Sequence, residues 1–222
     1  MKTRFDADND GASGTRLTRR ILVSVTFGLT ALALTGCNIL PQAQIDPTRF
    51  YVLSAPAVAS VVDPLAKAPA IRLRPVELAT YIKAKPLIVR RGGNEIEFRD
   101  YARWGEPLER GIGRVLREVL LARGAASAVQ VNGLRTFTAD YDYELAVRVL
   151  TCEGNADGSV QFRARWELDT TGKVPTVAAR GDFQATDLKW DTKSEAELAN
   201  RLSEAVAGLA GEIAVGLAKA KG

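Results

Sequence analysis

Apolar and polar positions along this chain follow two periods, and the points where one gives way to the other mark out the elements. Residues 49–53 are aromatic and β-branched and read as a strand, whereas 54–70, rich in alanine and proline without a period, read as a loop. Residues 71–76 alternate apolar with charged, as a half-buried strand does, and Pro75 should end its pairing or place it at an edge. Residues 86–91 and 95–99 flank Gly92-Gly93-Asn94, which tolerates positive φ and predicts a hairpin. From 105 to 122 the period becomes helical: Leu108, Ile112, Val115, Leu116, Val119 and Leu120 share one face, with Pro107 at the start and Glu106 and Glu109 complementing the helix dipole. Strands return at 126–131, at 143–149 and 160–168 across the turn-rich 153–158, and at 176–186 with Gly181 as a bulge. Ser194-Glu195-Ala196-Glu197 fits a capping box and opens a helix with Leu198, Leu202, Val206, Leu209, Ile213 and Leu217 on one stripe. Its other face, with Ala205, Gly208, Gly211 and Gly216, suits close packing on the sheet or a helix contact with a second subunit, which leaves a homo-oligomer open. The simplest assembly is an α+β fold: a mostly antiparallel sheet with two long amphipathic helices packed on one face.

The start of the chain follows neither globular period. Residues 21–34 are mostly apolar and stand behind Arg16, Arg19 and Arg20. They suit a secretory signal and fall short of the roughly 20 residues a spanning helix needs. Leu34-Thr35-Gly36-Cys37 follows. Its small residues let the chain lie extended in a peptidase groove, and its thiol can be alkylated by a diacylglycerol group. This string resembles the lipobox of bacterial lipoproteins, which implies a signal peptide at 1–36 and Cys37 as a lipidated first residue carrying diacylglycerol and an N-acyl chain. A plain secretory signal, with Cys37 an incidental thiol, is the alternative; Thr18-Arg19-Arg20-Ile21 also carries a trace of twin-arginine export. Residues 37–47 then form a tether containing Pro41 and Pro47, and nine residues of it reach at most about 30 Å. Residues 48–222 are of single-domain size.

Charge and composition narrow the chemistry. The 222 residues hold 30 Lys+Arg against 26 Asp+Glu, and residues 37–222 alone carry 25 against 23. So small an excess, with no basic tract, gives no reason to expect nucleic acid. Histidine is absent, which removes the commonest general base and metal ligand. With Cys37 acylated, Cys152 has no disulfide partner and reads as a small buried hydrophobe. Neither a metal nor a cofactor is expected.

Between hairpin and first helix lies Tyr101-Ala102-Arg103-Trp104-Gly105-Glu106-Pro107-Leu108. With the lipobox, Phe50-Tyr51-Val52-Leu53, residues 71–76 with Leu78 and Tyr81, residues 86–90 and Ala164-Arg165-Trp166, it resembles the PqiC-like ABC-transport auxiliary lipoproteins across nearly the whole mature chain. Gly105 departs from an expected alanine, and Ala79-Thr80-Tyr81-Ile82 is a loose version of the family's Leu-Pro-x-Tyr-Leu. The resemblance implies a periplasm-facing lipoprotein on the outer membrane, working with a mammalian-cell-entry (MCE) protein and an inner-membrane ABC permease to move lipids between the membranes. Arg103 and Glu106 are expected to pair around Trp104, pinning the helix start. An exposed Trp104 would instead be a docking anchor, and Tyr101, Arg103, Trp104 and Glu106 are the candidate partner contacts.

Two rival classes remain. A hydrolase would use the carboxylate pairs Asp140 and Asp142 or Glu95 and Glu97, although residues two apart on a strand share a solvent face and are more simply wetted charges. A lipid carrier would need a continuous apolar cavity between sheet and helices, where a scaffold has a packed core.

Overall fold

The computed structural model describes residues 45–57, 68–131 and 140–221. The signal segment, Cys37 and most of the tether lie outside them, as does the middle of the 54–70 stretch. In chain order the elements are β1 (Arg49–Tyr51), β2 (Ala70–Leu73), β3 (Glu77–Leu78), a 3-10 turn (Thr80–Lys83), β4 (Pro86–Gly92), β5 (Glu95–Trp104), α1 (Leu108–Ala122), β6 (Ala128–Val131), β7 (Tyr143–Asn155), β8 (Val160–Thr170), β9 (Val177–Gln184) and α2 (Glu195–Lys221).

β7 is the axis of the sheet. Along one edge it pairs antiparallel with β8 over its whole length, and β8 pairs antiparallel with β9. Along its other edge it receives three short strands in series, all parallel: β2 opposite 143–145, β3 opposite 148–149 and β4 opposite 154–155. β6 extends the sheet beyond β2, and β5 then β1 extend it beyond β4. The long pairings are antiparallel as expected and the short ones are parallel, so the curled sheet is mixed. Pro75 explains one interruption. It has no N–H to give, so the predicted 71–76 strand stops at Leu73 and resumes as β3, the backbone between being held by Arg74 N–H to Leu145 O at 2.9 Å. β2 nevertheless lies inside the sheet, between β6 and β7, not at an edge.

One sheet face is apolar by simple alternation. Leu145, Val147 and Val149 on β7 and Phe162, Ala164, Trp166 and Leu168 on β8 are buried; α2 covers them, and α1 packs against α2 and β6. Every apolar position predicted for the α1 and α2 stripes is buried. α1 begins at Leu108, with Pro107 just ahead of it. At α2 the box is half closed: the Glu197 amide donates to Ser194 Oγ at 3.3 Å, but the Glu197 carboxylate accepts from the Asp191 amide. The glycines of α2 serve packing. Gly216 lies on the Trp166 ring, Gly208 faces Phe183 and Gly211 faces the Arg123 guanidinium.

Two expectations are corrected here. Gly181 is not a bulge: it lies directly across from Trp166, and the register shift falls at Leu168/Asp169. Its missing side chain leaves space for the indole, whose Nε1 donates to Glu212 Oε1 at 2.7 Å. β7 also runs on to Asn155, so Glu153 belongs to a strand and not to the predicted turn.

Candidate functional site

The motif 101–108 spans the end of β5 and the entry to α1, and the local backbone explains where each residue goes. Pairing of β5 with β4 slips between Leu87↔Arg99 and Pro86↔Arg103, so residues 100–102 bulge. From Ala102 on, β5 gains β1 on its other side, with Arg49 opposite Ala102, Phe50 opposite Arg103 and Tyr51 opposite Trp104. Trp104 N–H donates to Lys85 O at 2.8 Å and Gly105 N–H to Tyr51 O at 2.8 Å, which locks the strand end between β1 and the chain entering β4. A Cβ at Gly105 would come within 3.3 Å of Val52 Cγ1, so a larger residue there would need the half-exposed valine to move slightly.

The four candidate contacts separate. Trp104 is buried at 7 % exposure and packs in the core, while Tyr101 is 63 % exposed and Arg103 is also exposed. Arg103 and Glu106 do not pair. Arg103 Nε donates to the Asp100 carbonyl of its own bulge at 3.0 Å. Glu106 Oε1 accepts instead from Arg114 Nη2, at 2.6 Å, one face further along α1, and the same Nη2 donates to Leu53 O at 2.7 Å. Arg114 therefore ties β1's exit to the helix, its pKa held above the ordinary guanidinium value by the Glu106 bond. Gly111 makes this possible, since a Cβ there would come within 3.1 Å of the Glu106 carboxylate.

Trp104 and Glu106 also help wall a groove of about 970 Å³ between the motif and the segment 74–85. Val76, Leu78, Trp104 and Leu108 give it an apolar floor, and Arg74, Glu77, Lys83, Lys85, Glu109 and Arg148 a charged rim. Phe50, 67 % exposed, also lines it. Sequence reasoning marked the motif but not the opposite wall. Val76 and Leu78, flanking exposed Glu77, were its available signal. A second depression, on the outer sheet face, is lined by charged residues such as Arg148, Arg165 and Asp182.

The carboxylates considered for hydrolysis are used otherwise. Asp142 Oδ2 accepts from the Ala70 amide at 2.8 Å, Glu97 is bridged by Arg91 and Arg99, and Asp140 and Glu95 are exposed. Glu153, missed in the sequence, is fully buried and receives Arg90 Nε at 2.6 Å. Beside it, burial first and the Glu153 charge second push the Tyr81 hydroxyl up to about 12. Burial likewise pushes the Cys152 thiol up to about 12. Among the described residues no group of three or more acidic or thiol ligands is placed to hold a metal ion, and no helix is long and apolar enough to cross a membrane.

Comparison with solved structures finds the same fold elsewhere. Protein XCC0632 from Xanthomonas campestris, of family DUF330, superposes with a TM-score of 0.62 at 16% identity, covering 75% of this chain and 93% of that one. The crystal structure of an uncharacterized protein gives 0.58 at 16% identity, covering 76% and 97%. No curated protein matches the sequence. Residues 51–214 match the family described as the ABC-type transport auxiliary lipoprotein component, and the chain belongs to that family.

Proposed function

We propose that this chain is a non-catalytic, lipid-anchored component of an MCE-type ABC system that moves lipids between the inner and outer membranes. Cys37 carries the acyl chains, and more than one chain is needed for stable anchoring. Asn38, next to the cysteine, is not the aspartate that commonly retains lipoproteins on the inner membrane, which favours an outer-membrane address facing the periplasm. The observation that carries the reading is the groove walled by Trp104 and Glu106: apolar at its floor, charged at its rim, and built by the motif on which the family resemblance rests. It is a surface feature over a packed core, as a docking scaffold requires. The MCE protein is its proposed occupant, and the permease follows through that protein.

Pull-down of the full chain from detergent-solubilised envelopes tests this. The native chain should capture the MCE protein, and the double charge reversal Lys83→Glu with Lys85→Glu should reduce capture at least about tenfold, since both side chains are exposed and opposing charges at an interface set specificity. Unchanged capture by a variant with unchanged thermal stability would place the interface elsewhere.

A further inference from the structure

The described residues expose few large apolar side chains, and three of them stand on two neighbouring strand ends. Phe50 (67 % exposed), Val52 (53 %) and Tyr101 (63 %) stand on β1, the residue following it and the adjoining end of β5. Among the described residues β1 is a terminal strand of the sheet, pairing with β5 alone. Arg49 and Arg103 are exposed beside these side chains and form no ion pair among the described residues. Arg103 sits directly opposite Phe50 in the register.

We infer that this edge is the face that lies on the bilayer, with Phe50, Val52 and Tyr101 entering the headgroup region and Arg49 and Arg103 meeting lipid phosphates. The inference rests on acylation at Cys37, and three observations carry it. The first is chain length: the eleven residues between Cys37 and Arg49 span at most about 40 Å, and they end at β1, so the anchor restrains this edge more closely than any other part of the fold. The second is area. Aromatic side chains present about 150–250 Å² each, so three partly exposed side chains offer a few hundred Å², well short of the roughly 800 Å² per partner that a stable protein interface needs. An already anchored domain needs far less, because its contact with the bilayer is intramolecular and the effective concentration is millimolar. The third is chemistry: apolar and aromatic groups set beside arginines match the boundary between acyl chains and anionic headgroups. Tyr101 and Arg103, expected from sequence to meet a protein partner, thereby fall on the lipid side, and of the groove's lining only Phe50 goes with them, leaving the part between Trp104 and residues 74–85 for the partner.

The test uses the full chain, processed and acylated, in vesicles of three parts phosphatidylethanolamine to one part phosphatidylglycerol. Single substitutions Phe50→Cys, Val52→Cys and Tyr101→Cys each receive an environment-sensitive fluorophore; buried Cys152 stays unlabelled. Arg163→Cys on β8 and Val174→Cys at the β8–β9 turn are the controls. Spin-labelled lipid should quench the three edge positions at least about twofold more than the controls. Equal quenching at all five positions in a protein that floats with the vesicles would overturn the inference while leaving the anchor intact. Protection of the edge only after an MCE protein is added would reassign it to protein contact and also overturn it. A chain that does not float and shows unmodified Cys37 by mass spectrometry would remove the anchor, and this inference with it.

Discussion

Cys152 and Tyr81 flank the carboxylate of Glu153, which is itself wholly buried and held by Arg90. Both groups are acids whose neutral form the fold favours, the thiol mainly through burial and the phenol through burial and then the Glu153 charge. Their folded pKa values, about 12, lie above ordinary values of 9.0 and 10.0. The folded state therefore holds these protons more tightly than the unfolded one. Their contribution to stability is complete below pH 9 and is lost as pH rises through about 12. Urea midpoints measured from pH 8 to 12 should fall, and Cys152→Ala should flatten the fall between 9 and 12 even though it lowers the starting value by leaving a small cavity. Parallel curves for parent and variant would show that the thiol titrates as an exposed one does. Only the burial of Cys152 was legible in the sequence. Glu153 stood among turn-forming residues, and the bulge at Val149/Thr151 breaks the alternation that would otherwise have given its orientation.

At the scale of elements, α2 meets the sheet through absences of side chain. Gly216 and Gly181 lie against the Trp166 ring, and Glu212 receives its N–H, so the indole is clamped between β9 and α2. In an exposed helix Gly→Ala stabilises by about 1 kcal/mol. At Gly216 the sign should reverse, because a Cβ would fall well inside 3.0 Å of a rigid ring and not of a flexible chain end. Overpacking of this kind costs about 1–3 kcal/mol, so Gly216→Ala should lower Tm by several degrees. A Tm that rises would mean that α2 can shift away from the sheet at little cost. The elements themselves were largely readable, and for one reason: helical stripes, the Gly92–Asn94 hairpin and the alternation in β7 and β8 are local periods, visible within a dozen residues. The parallel joining of β2, β3 and β4 to β7 left no such mark. Each partner lies about 65–72 residues away, and a strand's own sequence is indifferent to the direction of its neighbour. The Glu106–Arg114 tie escaped for a similar reason, since it depends on the bare surface that Gly111 leaves on α1.

For the whole molecule the question is whether lipid would travel inside this domain or past it. A carrier must keep an apolar chamber large enough for an acyl chain. Here the space between sheet and helices is occupied by Leu145, Phe162, Leu168, Ile112, Leu116, Leu202, Val206 and Ile213, each at 1 % exposure or less. Opening that layer would separate α2 from β8 and undo the Trp166 clamp, exposing apolar surface at about 25 cal/mol per Å². The large grooves lie instead on the outside, and their rims are charged. The acylated chain, extracted in detergent and exchanged into a lipid-free polymer, should therefore carry its own covalent acyl groups and less than about 0.1 equivalent of free phospholipid by native mass spectrometry. One equivalent retained through exchange would reveal a chamber that these side chains do not close, and would move the function from docking to carriage. The same measurement on Gly216→Ala sharpens the comparison: in a scaffold, loosening the helix should change stability and leave lipid content near zero, whereas in a carrier it should change both together.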